Sequence, residues 1–294
     1  MSDWRFLKSP NFFIVGAPRA GTTSLYNYLN EIPEVFMSPV KEPGFFIPND
    51  FRNFSEKTYL ELFENVKDEI AIGEATAGYL VNEKTPFLIK EKVPNARIII
   101  TLRDPINRIF SHYLNRLRTG DTKLSFEDAV KQYFDNNSSD NQIKGLIKGS
   151  LYHNQVQRYF EVFGKNNVKI LIFEETIKDT KKAIKEILEF LEIKNSSPKN
   201  IDEVFNSYSE PLGTLGTNIV KNKTINTISK KILPKSNREK ILRTILIKKG
   251  KKPSLSETTR KQLEPVFYED VKNLEKTLGK TLPWKTKKIN WRET

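Results

Sequence analysis

Apolar residues along this chain follow two rhythms. Four short runs, 12–17, 70–74, 96–102 and 168–173, are almost continuously apolar and rich in Phe, Ile and Val, the pattern of strands buried on both faces of a parallel sheet. Between them, apolar positions recur at three- and four-residue spacing, predicting helices over 23–30, 84–92, 105–117, 125–134, 154–163, 180–191 and 256–278. Some boundaries have identifiable chemistry. Pro94 lies just past the helix ending at 92, and Asp104 is a good N-cap with Pro105 in the first helical position. Ser254, with Glu257 three places later, is a capping signal for the last helix. Strands alternating with helices predict an α/β fold, doubly wound, with a mainly parallel central sheet flanked by helices. Ligands of such sheets bind at the carboxyl ends of the strands.

Two segments break the rhythm. Residues 135–149 carry a run of Asn, Ser and Asp and read as a surface loop; residues 209–254 alternate lysine clusters with short apolar runs and read as a lid or an extended covering segment. No internal repeat or low-complexity linker divides the 294 residues, so a single domain, 1–294, is expected.

The first strand runs into Gly16-Ala17-Pro18-Arg19-Ala20-Gly21-Thr22-Thr23-Ser24. A strand, a glycine-bounded turn and a helix start aim backbone N–H groups and a helix dipole at one anionic group. The spacing of Gly16, Gly21 and Thr23 matches the nucleotide-binding P-loop, which makes the sheet P-loop-type. However, Thr22 stands where that loop has its lysine, and the only cation is Arg19. The loop is suited to a phosphate but lacks the usual equipment for a triphosphate with magnesium. A second strand–helix junction, Thr101-Leu102-Arg103-Asp104-Pro105, delivers Arg103 to the sheet edge. Ser111 follows about 10–11 Å along the helix axis. Arg103 and Ser111 can share one phosphate. Equally, Asp104 can cap its helix while pairing with Arg108 one turn on.

Composition narrows the chemistry. The chain has no cysteine, so it has no disulfide, thiolate metal site or cysteine nucleophile, and with only His112 and His153 a histidine-rich metal centre is excluded too. Both histidines are expected to be structural. No run approaches eighteen uninterrupted apolar residues, so no membrane span is expected. The first six residues have neither the basic start nor the apolar run of a secretion signal, which makes a cytoplasmic location the expectation. A net charge of +13 calls for an anionic partner. Much of the excess lies after residue 220, including Lys248-Lys249-Gly250-Lys251-Lys252, where plain solvation by lysine accounts for it equally well.

Together the two junctions resemble those of sulfotransferases that use 3′-phosphoadenosine 5′-phosphosulfate (PAPS). The resemblance implies that Pro18, Arg19, Ala20, Gly21, Thr22, Thr23 and Ser24 hold the 5′-phosphosulfate, and that Arg103 and Ser111 hold the 3′-phosphate. It extends to Gly149-Ser150-Leu151-Tyr152, whose tyrosine is expected near the adenine, and to Asn206-Ser207-Tyr208, where an adenine-contacting aromatic is expected. The 248–252 cluster is similar to the basic loop that closes over the 3′-phosphate, which would bring in Lys249 and Gly250. Val40-Lys41-Glu42-Pro43-Gly44-Phe45-Phe46 is similar to the Glu-x-x-Phe-Phe segment of heparan sulfate sulfotransferases. Glu42 is then the implied catalytic base, with Lys41 and Phe45 beside the acceptor and Glu74 as reserve base or substrate contact. The lysine that often follows that glutamate in heparan-type relatives is Ala75 here.

The expected reaction moves a sulfuryl group from PAPS, leaving 3′-phosphoadenosine 5′-phosphate (PAP), to a hydroxyl or amine of a saccharide or glycolipid. Catalysis falls to Arg19 and Glu42. A sulfuryl group bears less charge than a phosphoryl group, so no metal is expected to be required. Two alternatives follow from the same residues. A magnesium-dependent P-loop kinase or NTPase needs a lysine at 22 and a Walker-B aspartate. A basic nucleic-acid-binding protein fits the charge but lacks a helix-turn-helix, zinc or stacking signature, so no nucleic acid is expected.

Overall fold

Side chains of a strand point alternately to opposite faces, and along residues 12–15 both faces are apolar. Phe13 and Val15 join one buried cluster, Phe12 and Ile14 another. The computed structural model describes residues 4, 8–50, 54–135, 142–194, 196–198 and 253–286. Among the described residues there are five strands: β1 (Phe12–Gly16), β2 (Val35–Met37), β3 (Ala71–Ala75), β4 (Arg97–Leu102) and β5 (Val168–Ile172). They form one sheet in the order β2-β3-β1-β4-β5, and every pairing is parallel. The first strand of the chain is therefore the middle of the sheet, with its carboxyl end between those of β3 and β4.

Helices cover both faces. The helices α1 (Thr22–Leu29), α2 (Glu56–Glu61), α3 (Thr85–Lys92), α4 (Pro105–Thr119), α5 (Phe126–Phe134) and α6 (Gln142–Lys148) precede α7 (His153–Phe163), α8 (Phe173–Thr176), α9 (Thr180–Phe190) and α10 (Glu257–Leu278). α1 and α9 pack Leu25, Leu29, Ile184 and Ile187 onto the Phe12 and Ile14 face. α4, α7 and α10 pack Ile106, Ile109, Val156, Tyr159, Leu263 and Phe267 onto the Phe13 and Val15 face. The doubly wound parallel sheet is as the sequence predicts.

The differences have local causes. β2 and α2 were not expected; at three and six residues they are too short to establish a period. Residues 142–148, expected in a loop, form α6: Ile143, Leu146 and Ile147 bury one helical face, a pattern masked by the polar run before it. The cap of α10 is Ser256, whose hydroxyl accepts from Thr259 N at 3.1 Å, and not Ser254. Tyr208, Lys249 and Gly250 lie outside the described residues, as does all but the end of the expected lid at 209–254.

α10 is stitched to the sheet by polar groups as well as by its apolar face. The Asp270 carboxylate accepts from Tyr152 N (2.7 Å) and His153 N (3.1 Å), capping α7 from a distant part of the chain. Arg260 pairs with Asp104 at 2.6 Å. Trp284 Nε1 donates to Glu174, whose other oxygen accepts from Asp104 N.

β3 carries a charged group into the core. Glu74 is fully buried and accepts three hydroxyl hydrogen bonds, from Tyr79 (2.6 Å), Thr76 (2.8 Å) and Tyr59 (3.0 Å). Burial pushes its pKa up to about 7, against the pull of the three donors.

Two outcomes are expected. Gly73 lies opposite Phe12, and a Cβ there would come within 2.1 Å of the Phe12 ring. Gly73→Ala should therefore cost about 1–3 kcal/mol, read from the denaturant midpoint. The second concerns Glu74. Its pKa is raised on folding, so between pH 4.5 and about 7 the folded state holds the extra proton, and stability falls as pH rises through that window. Relative to Glu74→Gln, the native protein should lose about 3 kcal/mol across it. Parallel urea titrations of the two proteins across this range check the sign.

Candidate active site

β1 ends in a crowded place. A Cβ on Gly16 would lie 2.6 Å from Leu80 Cβ and 2.9 Å from the Ala77 carbonyl oxygen, so the turn leaves no room for a side chain. Both ends of the following loop are tied to β4: Ala17 N donates to Thr101 O, and Thr101 Oγ1 donates to Ala20 O, each at 2.7 Å. Gly21 then takes φ of 90° as the cap of α1 and supplies no side-chain acceptor to that helix. The positive end of the α1 dipole thus opens onto the loop. Pro18, Arg19, Ala20, Gly21, Thr22, Thr23 and Ser24 form one turn, with Ala20 and Thr22 buried and Arg19 exposed.

Three arginines converge on this turn. Arg103, at the end of β4, donates to the Arg19 carbonyl oxygen at 3.0 Å, and its guanidinium lies 4.7 Å from the centre of the Phe173 ring. Arg19 Nε donates to Ser111 Oγ at 3.3 Å, bridging the loop to α4. Arg108 is fully buried; it donates to Ser150 Oγ (2.7 Å), Leu146 O (2.6 Å) and, at 3.5 Å, to Pro18 O. Among the described residues none of these three arginines forms an ion pair. Asp104, paired with Arg108 in the alternative reading of this junction, caps α4 through Asn107 N and pairs with Arg260.

The result is a positive field short of counter-charge. Loss of water around the guanidinium groups lowers the pKa of all three, most completely at buried Arg108, and for Arg19 the neighbouring Arg118 and Arg103 lower it further. His112 reports the same field. Burial, and then Arg108, Arg19 and Arg116, push it down to about 4, so it is neutral at neutral pH. Arg103 Nε is buried with no hydrogen-bond partner among the described residues. An anion with several acceptor oxygens satisfies this site in both charge and geometry.

Glu42 comes from the segment that runs beside β3. Its φ is +60°, a left-handed conformation, and its amide donates to Ala75 O at 2.9 Å. One carboxylate oxygen accepts from Ala77 N at 3.0 Å and the other pairs with Lys41 at 2.8 Å. Since the Ala77 carbonyl packs against Gly16, this half-exposed carboxylate sits next to the end of β1.

Two sequence expectations are corrected. Tyr152 is fully buried and does not present a face to an adenine; its hydroxyl donates to the Arg103 carbonyl oxygen at 3.0 Å, and its ring packs on Trp284. Glu74, buried and held by three hydroxyls, reaches no acceptor. Phe45 keeps an exposed part beside Glu42 while stacking 4.3 Å from Tyr59, within an aromatic cluster that includes Trp4 and Phe46. Among the residues the sequence reading missed, Arg108 was visible as Arg-Asp-Pro-x-x-Arg spacing but entered only in the alternative that pairs it with Asp104. Glu174, which holds the Asp104 amide, left no local signal.

Comparisons with known proteins identify the family. The model of the sulfotransferase domain family matches residues 9–275. The chain is 26% identical to Homo sapiens carbohydrate sulfotransferase 15 over 251 residues, covering 65% of this chain and 45% of the relative. It is 31% identical to the Dictyostelium discoideum membrane-associated sulfotransferase kil1 over 170 residues, covering 55% of this chain and 33% of the relative. The chain thus spans less than half the length of these curated relatives. Among solved structures, a sulfotransferase from Alicyclobacillus acidocaldarius superposes with a TM-score of 0.68 at 27% identity, covering 93% of this chain and 97% of its own. Mouse SULT7A1, solved in complex with PAP, shares the fold with a TM-score of 0.52 at 16% identity, covering 95% of this chain and 90% of its own. The chain belongs to the sulfotransferase domain family.

Proposed function

We propose that this chain transfers a sulfuryl group from PAPS to a hydroxyl or amine of a saccharide or glycolipid acceptor. The observation that carries the reading is the convergence of Arg19, Arg103 and Ser111 on the β1 turn with no ion-pairing carboxylate among the described residues. Such a site suits a nucleotide with phosphates at both its 5′ and 3′ positions. When bound, PAPS supplies the activated sulfuryl group together with its phosphate leaving group.

The chain's own residues divide the remaining work. Arg19, with the α1 dipole and the loop amides, favours negative charge on the oxygen between phosphorus and sulfur. Arg103 and Ser111 anchor the second phosphate, the arginine through paired N–H groups. Glu42 accepts the proton from the acceptor hydroxyl or amine, and Lys41 at 2.8 Å steadies its carboxylate. The saccharide preference is supported by relatives named as carbohydrate and heparan sulfate sulfotransferases and by the chain's net charge of +13.

Binding and turnover separate the roles. Adenosine 3′,5′-bisphosphate should raise the melting temperature clearly more than ATP with magnesium does; the reverse order would favour a P-loop kinase. Arg103→Ala should weaken that bisphosphate about 10- to 100-fold in a titration. Labelled sulfate transfer from PAPS to a panel of saccharide acceptors should fall about 10²- to 10³-fold in Arg19→Ala and about 10²- to 10⁴-fold in Glu42→Gln. Undiminished transfer by either variant would remove its assigned role.

A further inference from the structure

Glu42 holds an unfavourable backbone conformation, and the segment that carries it needs an anchor. With φ of +60° at Glu42 and +72° at Gly44, this stretch turns through the left-handed region twice in three residues. For a non-glycine residue that conformation costs about 1–3 kcal/mol and persists only where the surroundings hold it. The anchor is visible one layer below. Gly44 N donates to Thr76 Oγ1 at 3.2 Å, and Phe46 N donates to the Tyr79 hydroxyl at 3.3 Å. Those two hydroxyls donate onward to the two oxygens of Glu74, at 2.8 and 2.6 Å. The third donor to Glu74, Tyr59, stacks its ring 4.3 Å from Phe45. All three partners of one buried carboxylate therefore grip the residues immediately after Glu42.

We infer that Glu74 is a positioning residue for Glu42, acting through Thr76, Tyr79 and Tyr59 to fix the 42–46 segment. The inference rests on the reading of Glu42 as base. A hydroxyl that donates to a charged oxygen is a better acceptor for the next amide, because chains of hydrogen bonds polarise one another. Ionised Glu74 offers only acceptors, which matches three donors. Protonated, it is a weaker acceptor and adds a fourth donor to a buried cluster, so the Thr76 and Tyr79 hydroxyls are less polarised and hold the Gly44 and Phe46 amides more weakly. The groups facing the carboxylate are Tyr59 from α2, Tyr79 and Thr76 from the chain after β3, Tyr159 from α7 and Glu42 itself. Burial raises the pKa of each of the three tyrosines above the ordinary value, so across neutral pH the group in this cluster that changes charge is Glu74, near pH 7. The grip on Glu42 should tighten as pH rises through 7, opposite in direction to the stability that Glu74 contributes.

Hydrogen exchange at the Gly44 and Phe46 amides reads the grip without an acceptor. After correction for intrinsic rates, protection of both amides should be about tenfold lower at pH 6 than at pH 8. It should be low at both pH values in Glu74→Gln and Thr76→Val, and restored in Thr76→Ser. Affinity for adenosine 3′,5′-bisphosphate should stay within about twofold in all three variants, which sets aside global misfolding. With PAPS and chondroitin or heparosan oligosaccharides as probe acceptors, Glu74→Gln should lower kcat about 10- to 100-fold at pH 8 with little change in KM for PAPS. It should also abolish the acid limb of the kcat profile near pH 7. Native protection, kcat and pH profile in Glu74→Gln, while Glu42→Gln is inactive, would overturn the inference alone. Full activity in Glu42→Gln would remove the base reading instead, and the exchange data would then decide whether Glu74 holds the segment.

Discussion

The constraint on which this structure turns is a group of arginines held by carbonyl and hydroxyl oxygens where carboxylates would ordinarily be expected. A buried guanidinium costs several kcal/mol in lost hydration, and pairing with a carboxylate is the usual remedy. Arg108 spends its donors on Leu146, Pro18 and Ser150, and Arg103 spends one on the Arg19 carbonyl. Each such charge-assisted hydrogen bond returns about 1.5–3 kcal/mol, enough to keep the guanidinium in place but not to cancel its charge. The uncancelled charge is what suits the β1 turn to an anion.

The acids near this end of the sheet are arranged to leave that field intact. Asp104 and Glu174 are close to Arg103, yet each is engaged by backbone amides, by Arg260 or by Trp284. Asp270 is committed to the start of α7. Glu74 lies inside an envelope of hydroxyls, and Glu42 is paired with Lys41. Carboxylates therefore build the frame and arginines face the opening. The frame in turn fixes the arginines: Tyr152 donates its amide to Asp270 and its hydroxyl to the Arg103 carbonyl, so one residue links α10 to the end of β4.

Much of this was legible before any coordinates. Continuous apolar runs identify strands buried on both faces, and the glycine-bounded turn after β1 and the Arg-Asp-Pro junction after β4 are local signals, so both halves of the site could be read in place. The contacts that escaped are those with no local signature. Nothing around Asp270 signals that it caps a helix more than a hundred residues away, and Arg108 looks like the natural partner of Asp104 until Arg260 arrives from α10. Tyr152 was read as a ligand contact because aromatic side chains serve both cores and binding sites. Only burial separates those uses, and burial is a property of the whole fold.

The order of these contacts along the chain bears on how the site is assembled. Asp104 takes its partner from Arg260, the start of α7 takes its cap from Asp270, and Glu174 takes its donor from Trp284, so in each case the later-made residue completes the earlier one. A nascent chain stopped between Glu174 and Arg260 holds Arg19, Arg103 and Arg108 but lacks the supports that aim them. The frame around the β1 turn therefore closes only after α10 has been made.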